Sequence, residues 1–250
     1  MDGTTESGKQ FLFHLNPDYT MLNYNQFLKT IPHTTEDLSS EIFDNQCDKI
    51  RVKKKHIAVK NLTRIMEATL KLSNRKGFHA MSLRDLSKEV GMTMGGLYLY
   101  FKTKDDLIDL IQNQAIRQMK RMLSDISSKS LEPREALGEF IRYYLYCSEA
   151  NRQWFYFLYM ETRYFSPAQK KKAVDLELFV EKIFTDILKR GRREGEFRFE
   201  DNGIIETIIN ALLMEWFLKR HKYFDKNVSV DAYAAQVIES IERAISPGGK

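Results

Sequence analysis

Between residues 83 and 100 the chain reads LRDLSKEVGMTMGGLYLY, a spacing that suits two short helices crossing at a tight turn. Apolar residues fall at Leu83, Leu86, Val90, Met92, Leu97 and Tyr100, so the two helices can close them into one small core. Gly91 stands at the turn, where glycine takes a left-handed backbone at little cost, and Ser87 is small enough for the second helix to approach. Ser82 and Thr93 are placed to cap the two helices. A unit of this kind presents its second helix to a DNA major groove.

The charge distribution points to the same region. Residues 51–130 carry seventeen Lys and Arg against seven acids, residues 1–50 carry three against eight, and residues 131–250 carry nineteen of each. A basic middle around the two-helix unit is what phosphate neutralisation requires, whereas the neutral C-terminal half needs another role. Residues 51–60 hold five Lys or Arg and no acid. They read either as a solvated linker or as an arm in which Arg51, Lys53, Lys54 and Lys55 meet the phosphate backbone or a minor groove.

The chain of 250 residues, 43% hydrophobic with five prolines, reads as globular and mostly helical. Three parts are expected: an acidic extension over 1–50, a DNA-binding domain over 51–118, and a helical body over 119–250. The extension mixes turn signals at Pro17 and Pro32 with apolar residues such as Phe11, Phe13 and Leu28, and Thr35 to Ile42 has the hydroxyls and acids of a helix start. Helices are predicted over 58–75, over about 103–127 with Thr103 as cap, and over 133–149, 152–164, 167–193, 201–222 and 229–245. No apolar run approaches the roughly 20 residues needed to cross a bilayer, no signal peptide is evident, and Cys47 and Cys147 form no CxxC pair. A cytoplasmic protein with two ordinary thiols is expected.

From Gly77-Phe78 through Ser82, Arg84, Gly91, Gly95-Gly96-Leu97-Tyr98-Leu99-Tyr100-Phe101 and Lys104-Asp105-Asp106-Leu107, the residues resemble the TetR family of one-component transcriptional regulators. The resemblance implies an all-α fold, with a three-helix DNA-binding head and a larger body that binds a ligand and dimerises. Two positions depart from the family pattern: Met94 stands where Lys is frequent, and Leu99 where His is frequent. Base reading would then rest on Thr93, Tyr98, the backbone at Gly95 and Gly96, and Met94 against a thymine methyl. Phosphate contacts would come from Ser82, Arg84, Tyr100, Lys102 and Lys104. Tyr98 and Tyr100 also read as core aromatics; Leu97 and Phe101 read as core.

Aromatics crowd residues 140–165, which hold eleven of the chain's thirty. They make either a packed core or the wall of an apolar pocket, with Phe140, Tyr143, Tyr144, Cys147, Trp154, Phe157 and Leu158 as candidate lining and Glu161 and Arg163 as candidate head-group anchors. The segment Glu-Thr-Arg-Tyr-Phe-Ser-Pro is similar to TetR-type regulators of fatty-acid and acyl-CoA metabolism, which implies an acyl-CoA, fatty acid or aromatic effector. Lys170, Lys171 and Lys172 read as a solvated face or as a phosphate patch. The family's last helices pair across a two-fold axis, which implies a homodimer through Ile205, Ile209, Leu213, Trp216, Tyr233, Val237 and Ile241 on a pseudo-palindromic operator; the same stripes also suit packing inside one chain.

The expected function is a repressor released from double-stranded DNA by a small hydrophobic effector. The alternative is a DNA-binding factor controlled by a protein partner or by its own acidic extension. An enzyme is not expected, nor a cofactor or metal: the five histidines form no motif, HExxH and GxSxG are absent, and Gly191-x-x-x-Gly195 lacks the Lys-Ser/Thr of a phosphate loop.

Overall fold

The computed structural model describes residues 23–31, 34–46, 49–127, 131–201 and 203–246, with residues 122–127 described for the backbone alone. Cys47, His14, His33, Pro17, Pro32 and the apolar residues before residue 23 lie outside that set. The described residues form α-helices and no strand, in the order α1 (Tyr24–Phe27), α2 (Thr35–Gln46), α3 (Lys55–Lys76), α4 (Leu83–Val90), α5 (Met94–Leu97), α6 (Lys104–Ser127), α7 (Pro133–Ala150), α8 (Arg152–Glu161), α9 (Pro167–Glu194), α10 (Ile204–Leu218), α11 (Arg220–Phe224) and α12 (Val230–Ile245).

Local chemistry sets the helix boundaries in the head. Ser82 and Asp85 form a reciprocal capping box at the start of α4, which satisfies two backbone donors that have no partner in the helix. Gly91 ends α4 in the left-handed region, at φ 69°, and the chain reverses there. The Ser87 hydroxyl donates to the Met92 carbonyl across the turn, and the Arg64 guanidinium of α3 donates to the Val90 carbonyl. Thr93 caps α5 by accepting from the Gly96 N–H at 3.1 Å. Leu62, Ile65, Met66, Leu86, Leu97 and Tyr100 then close a dry core beneath the turn.

Two helices tie this head to the rest. α6 begins in the head core with Leu107, Ile108, Leu110 and Ile111, and continues into the body, so a boundary at residue 118 falls inside one continuous helix. α2 belongs to the acidic extension, yet Leu38 and Ile42 are buried in the head core. α1 does the opposite: Phe27 sits in the body core, edge-on to Tyr143 at 5.1 Å between ring centroids. The Tyr24 N–H donates to Asp231 of α12 at 2.9 Å. The first two described segments, 23–31 on the body and 34–46 on the head, together form a strap across the two.

The body core gathers α7, α9, α10 and α12 around Phe140, Phe184, Leu188, Ile209, Leu213 and Trp216. This corrects the reading of the last two helices. Ile209, Leu213, Trp216, Val237 and Ile241 are buried inside the chain, and Ile205 and Tyr233 are half-buried against the same core. The outward faces carry other residues: Ile204 and Ile208 of α10 are 54% and 43% exposed, with Ala211 beside them, and α12 shows Ala232, Ala235 and Ser240.

Candidate DNA-binding face and ligand cavity

Thr93, Gly95 and Tyr98 are exposed and adjoin one another on and after α5, with Met94 half-buried among them. The exposed residues Ser82, Arg84 and Lys102 come from the α4 start and the turn after α5. Residues 51–54 run extended beside them, because the Arg51 N–H donates to the Leu99 carbonyl at 2.8 Å. Arg51, Lys53 and Lys54 are exposed there, while Lys55 opens α3 and pairs with Asp44 of α2 at 2.7 Å. The two motif helices and the segment before α3 thus expose hydroxyls, cations and a tyrosine, the residue types used in duplex DNA contact.

Two residues expected at phosphates are committed elsewhere. Tyr100 is 1% exposed, and its hydroxyl accepts from Asn61 at 2.8 Å, so it packs within the head; Tyr98, two residues earlier, is 44% exposed. Lys104 donates its ammonium to the carbonyls of Phe78 and His79 at 2.7 and 2.8 Å and lies over the Phe78 ring. Burial pushes its pKa below the usual lysine range. It caps the loop after α3 and has no free reach toward a phosphate.

Between head and body lies an apolar cavity of about 820 Å³. Tyr143, Tyr144, Cys147, Trp154, Leu158 and Arg163 line it, joined by Ile111, Gln112, Gln118, Met119 and Arg121 of α6 and by Thr30, Ile31, Leu38 and Glu41 of the strap. Burial raises the Tyr144 hydroxyl pKa well above the usual tyrosine range and pushes the Cys147 thiol up to about 12, so these two side chains stay neutral.

Three expected lining residues are not on that wall. Phe140 is fully buried against Phe184 in the body core. Phe157 stands edge-on to Phe78 and Trp154, between body and head. Glu161 turns toward the head and accepts from the Phe78 N–H at 3.1 Å and the Ser73 hydroxyl at 3.2 Å. Of Lys170, Lys171 and Lys172 in the first turns of α9, Lys171 pairs with Asp175 and Lys172 with Asp109. The contributions of α6 were detectable as the i, i+4, i+8 row Ile111, Ala115, Met119; those of the strap have no local signature. Glu132, Glu194 and Glu196 bring carboxylate oxygens within 4.8 Å of one another, without His or Cys beside them.

Residues 65–111 match the profile described as bacterial regulatory proteins, tetR family, and residues 130–218 match that described as tetracyclin repressor-like, C-terminal domain. The chain belongs to the TetR family. Relatives of this TetR-family chain include the HTH-type transcriptional regulator PksA of Bacillus subtilis, 30% identical over 76 residues, or 30% of this chain and 37% of that protein. Another is the fatty acid metabolism regulator protein of the same organism, 33% identical over 67 residues, covering 26% of this chain and 34% of the relative. The chain thus spans about a third of the length of these curated relatives.

Solved structures with the same fold include a tetR-family regulatory protein from Rhodococcus RHA1, with TM-score 0.64 and 22% identity over 76% of this chain and 99% of that one. FadR of Bacillus subtilis, solved with stearoyl-CoA, gives TM-score 0.58 and 22% identity over 73% and 98% of the two chains. This TetR-family chain carries the family's helix-turn-helix head and its C-terminal domain, and its curated relatives are described as transcriptional regulators. Among the described residues, no helix is long and apolar enough to cross a membrane.

Proposed function

We propose that this regulator is a homodimeric repressor that leaves a pseudo-palindromic operator when an acyl-chain effector, a fatty acid or acyl-CoA, fills the cavity. The observation that carries this reading is the double membership of α6. Leu107 to Ile111 are built into the head core, and Ile111, Gln112, Gln118, Met119 and Arg121 of the same helix form cavity wall. A ligand that repositions α6 must reposition the head, and a dimer turns that motion into a changed spacing of two recognition helices.

The apolar wall suits a hydrocarbon chain, and the cavity volume lies within the ordinary range of ligand pockets, about 300–1,000 Å³. The relative that regulates fatty acid metabolism and the fold neighbour solved with stearoyl-CoA support the acyl class. Dimerisation is assigned to the outward faces of α10 and α12, where Ile204, Ile208 and Ala211 of the one and Ala232 and Ala235 of the other are exposed. These apolar side chains gain burial from a second copy.

Selection of bound fragments from sheared genomic DNA tests the reading. The full chain should enrich a pseudo-palindromic site, and oleate or stearoyl-CoA should release it. Enrichment of no site, or retention at saturating levels of both ligands, contradicts it.

A further inference from the structure

We infer that Glu41 is a built-in surrogate for an anionic head group, and that α2 is a latch which an acidic amphiphile expels from α6. The inference rests on the cavity being the effector site and adds the chemistry of its polar end. The Glu41 carboxylate accepts from Arg121 at 2.8 Å, from Gln118 at 3.3 Å and from the buried Gln114. All three donors stand on α6, and a guanidinium flanked by amide N–H groups binds any carboxylate or phosphate oxygen equally well. Glu41, Gln118 and Arg121 also line the cavity, so the donor set opens onto the apolar space.

The other cations of that cavity are differently engaged. Lys172 is held by Asp109 at 2.6 Å and Asn113 at 3.3 Å, and Arg163 lies exposed over the Tyr164 ring. An acid entering tail-first therefore meets, at Arg121, a position that the chain's own carboxylate already fills. The pair sits at the rim, with the Glu41 side chain 15% exposed and that of Arg121 53% exposed. A half-exposed ion pair contributes little net free energy, so a ligand that supplies its own carboxylate and buries a hydrocarbon tail can take Glu41's place.

Displacement has consequences because of what else α2 holds. It lies antiparallel to α6: Gln46 donates to the Leu110 carbonyl at 3.1 Å, Asn45 to Gln114 at 3.4 Å, and Arg117 to the Asn45 carbonyl at 3.3 Å. Leu38 belongs at once to the cavity wall and to the head core. Five residues after α2 ends, the Arg51 N–H is bonded to the Leu99 carbonyl beside the DNA-reading turn. Expelling Glu41 therefore loosens a helix that lines the cavity, packs on α6 and is followed five residues on by the Arg51 contact beside the DNA-reading turn. α2 lies outside the profile matched over 65–111.

Dodecanoate and dodecan-1-ol, of one chain length, separate head group from tail in binding and hydrogen-exchange measurements on the full chain. Both should bind, but only dodecanoate should raise amide exchange across residues 38–46. Glu41→Gln should tighten dodecanoate about tenfold and leave dodecan-1-ol unchanged, while Arg121→Gln should abolish the preference for the acid. Dodecanoate binding with exchange over 38–46 unchanged, or a Glu41→Gln variant with an unaltered acid-to-alcohol ratio, overturns the latch and leaves the cavity reading standing. Failure of both probes to bind wild type and Glu41→Gln alike removes the cavity reading, and the latch with it.

Discussion

The carboxylate of Glu161, at the end of α8 in the body, accepts a hydrogen bond from the backbone N–H of Phe78 in the head at 3.1 Å. Phe78 is 5% exposed and Glu161 8%, so the bond is made away from water. Deleting the acceptor orphans a buried donor, which costs about 1–3 kcal/mol. Glu161→Ala should lower stability by that amount in urea unfolding, whereas Glu161→Gln, which keeps an acceptor oxygen, should lose less. Equal losses would mean that the bond contributes nothing.

Gly191 closes against Phe197, and a Cβ built at Gly191 would meet the Phe197 ring at 2.1 Å. The ring is 3% exposed and cannot swing clear without opening the body core. Gly191→Ala should destabilise by about 1–3 kcal/mol through overpacking, and Phe197→Leu should recover part of the loss. Thermal melts of the single and double variants measure it.

Acid should loosen the head first. Hydrogen bonds from the Lys76 ammonium, the Ser82 hydroxyl and the Ser82 N–H hold Asp85 far below the usual carboxylate range, and the Lys71 ammonium lowers Glu89. Partial burial of Asp106 works against its lowering, but the backbone N–H groups of Lys102 and Thr103 outweigh it. Unfolded carboxylates titrate near about 3.9–4.3. With folded values below that, the three groups stabilise the fold fully above about pH 5, and the contribution is lost as pH falls through the folded values. Melting temperature should fall between pH 5 and pH 3, and Asp85→Asn should flatten the slope.

DNA binding should separate residues that touch phosphates from those that hold the head together. Lys54→Ala should weaken binding to every sequence and reduce the salt slope by about one. Lys104→Met should leave that slope unchanged and cost about 1 kcal/mol of stability, since its ammonium serves the Phe78 and His79 carbonyls. Tyr98→Ala should change which sequence is preferred. Anisotropy titrations at several salt concentrations distinguish the three.

Monomeric protein should follow from a charge placed outward on α10. Ile208 is 43% exposed and Ile209 fully buried, so Ile208→Asp should yield a folded monomer that binds operator weakly, whereas Ile209→Asp should not fold. Sedimentation and circular dichroism of the two variants decide it.

Legibility followed the range of the interactions. Ser82, Gly91 and Thr93 act within three or four residues, so the spacing of the sequence was sufficient to place α4, α5 and the turn. Tyr98 and Tyr100 differ only in which way the turn after α5 points them, and no local pattern carries that information. In α10, apolar residues occupy adjacent positions on two faces, so Ile205 and Ile209 could not be told from Ile204 and Ile208 until the body closed around one pair. The pairings of Glu41 with Arg121 and of Glu161 with Phe78 span about eighty residues each, beyond any periodicity.

Filling the cavity should release DNA. Trp154 lines the cavity and Trp216, the chain's other tryptophan, is buried in the body core, so quenching of Trp154 in a Trp216→Phe variant reports occupancy while labelled operator reports binding by anisotropy. Titrating oleate should quench the tryptophan and release the operator over the same concentration range. Quenching that saturates while the operator stays bound would contradict the claim.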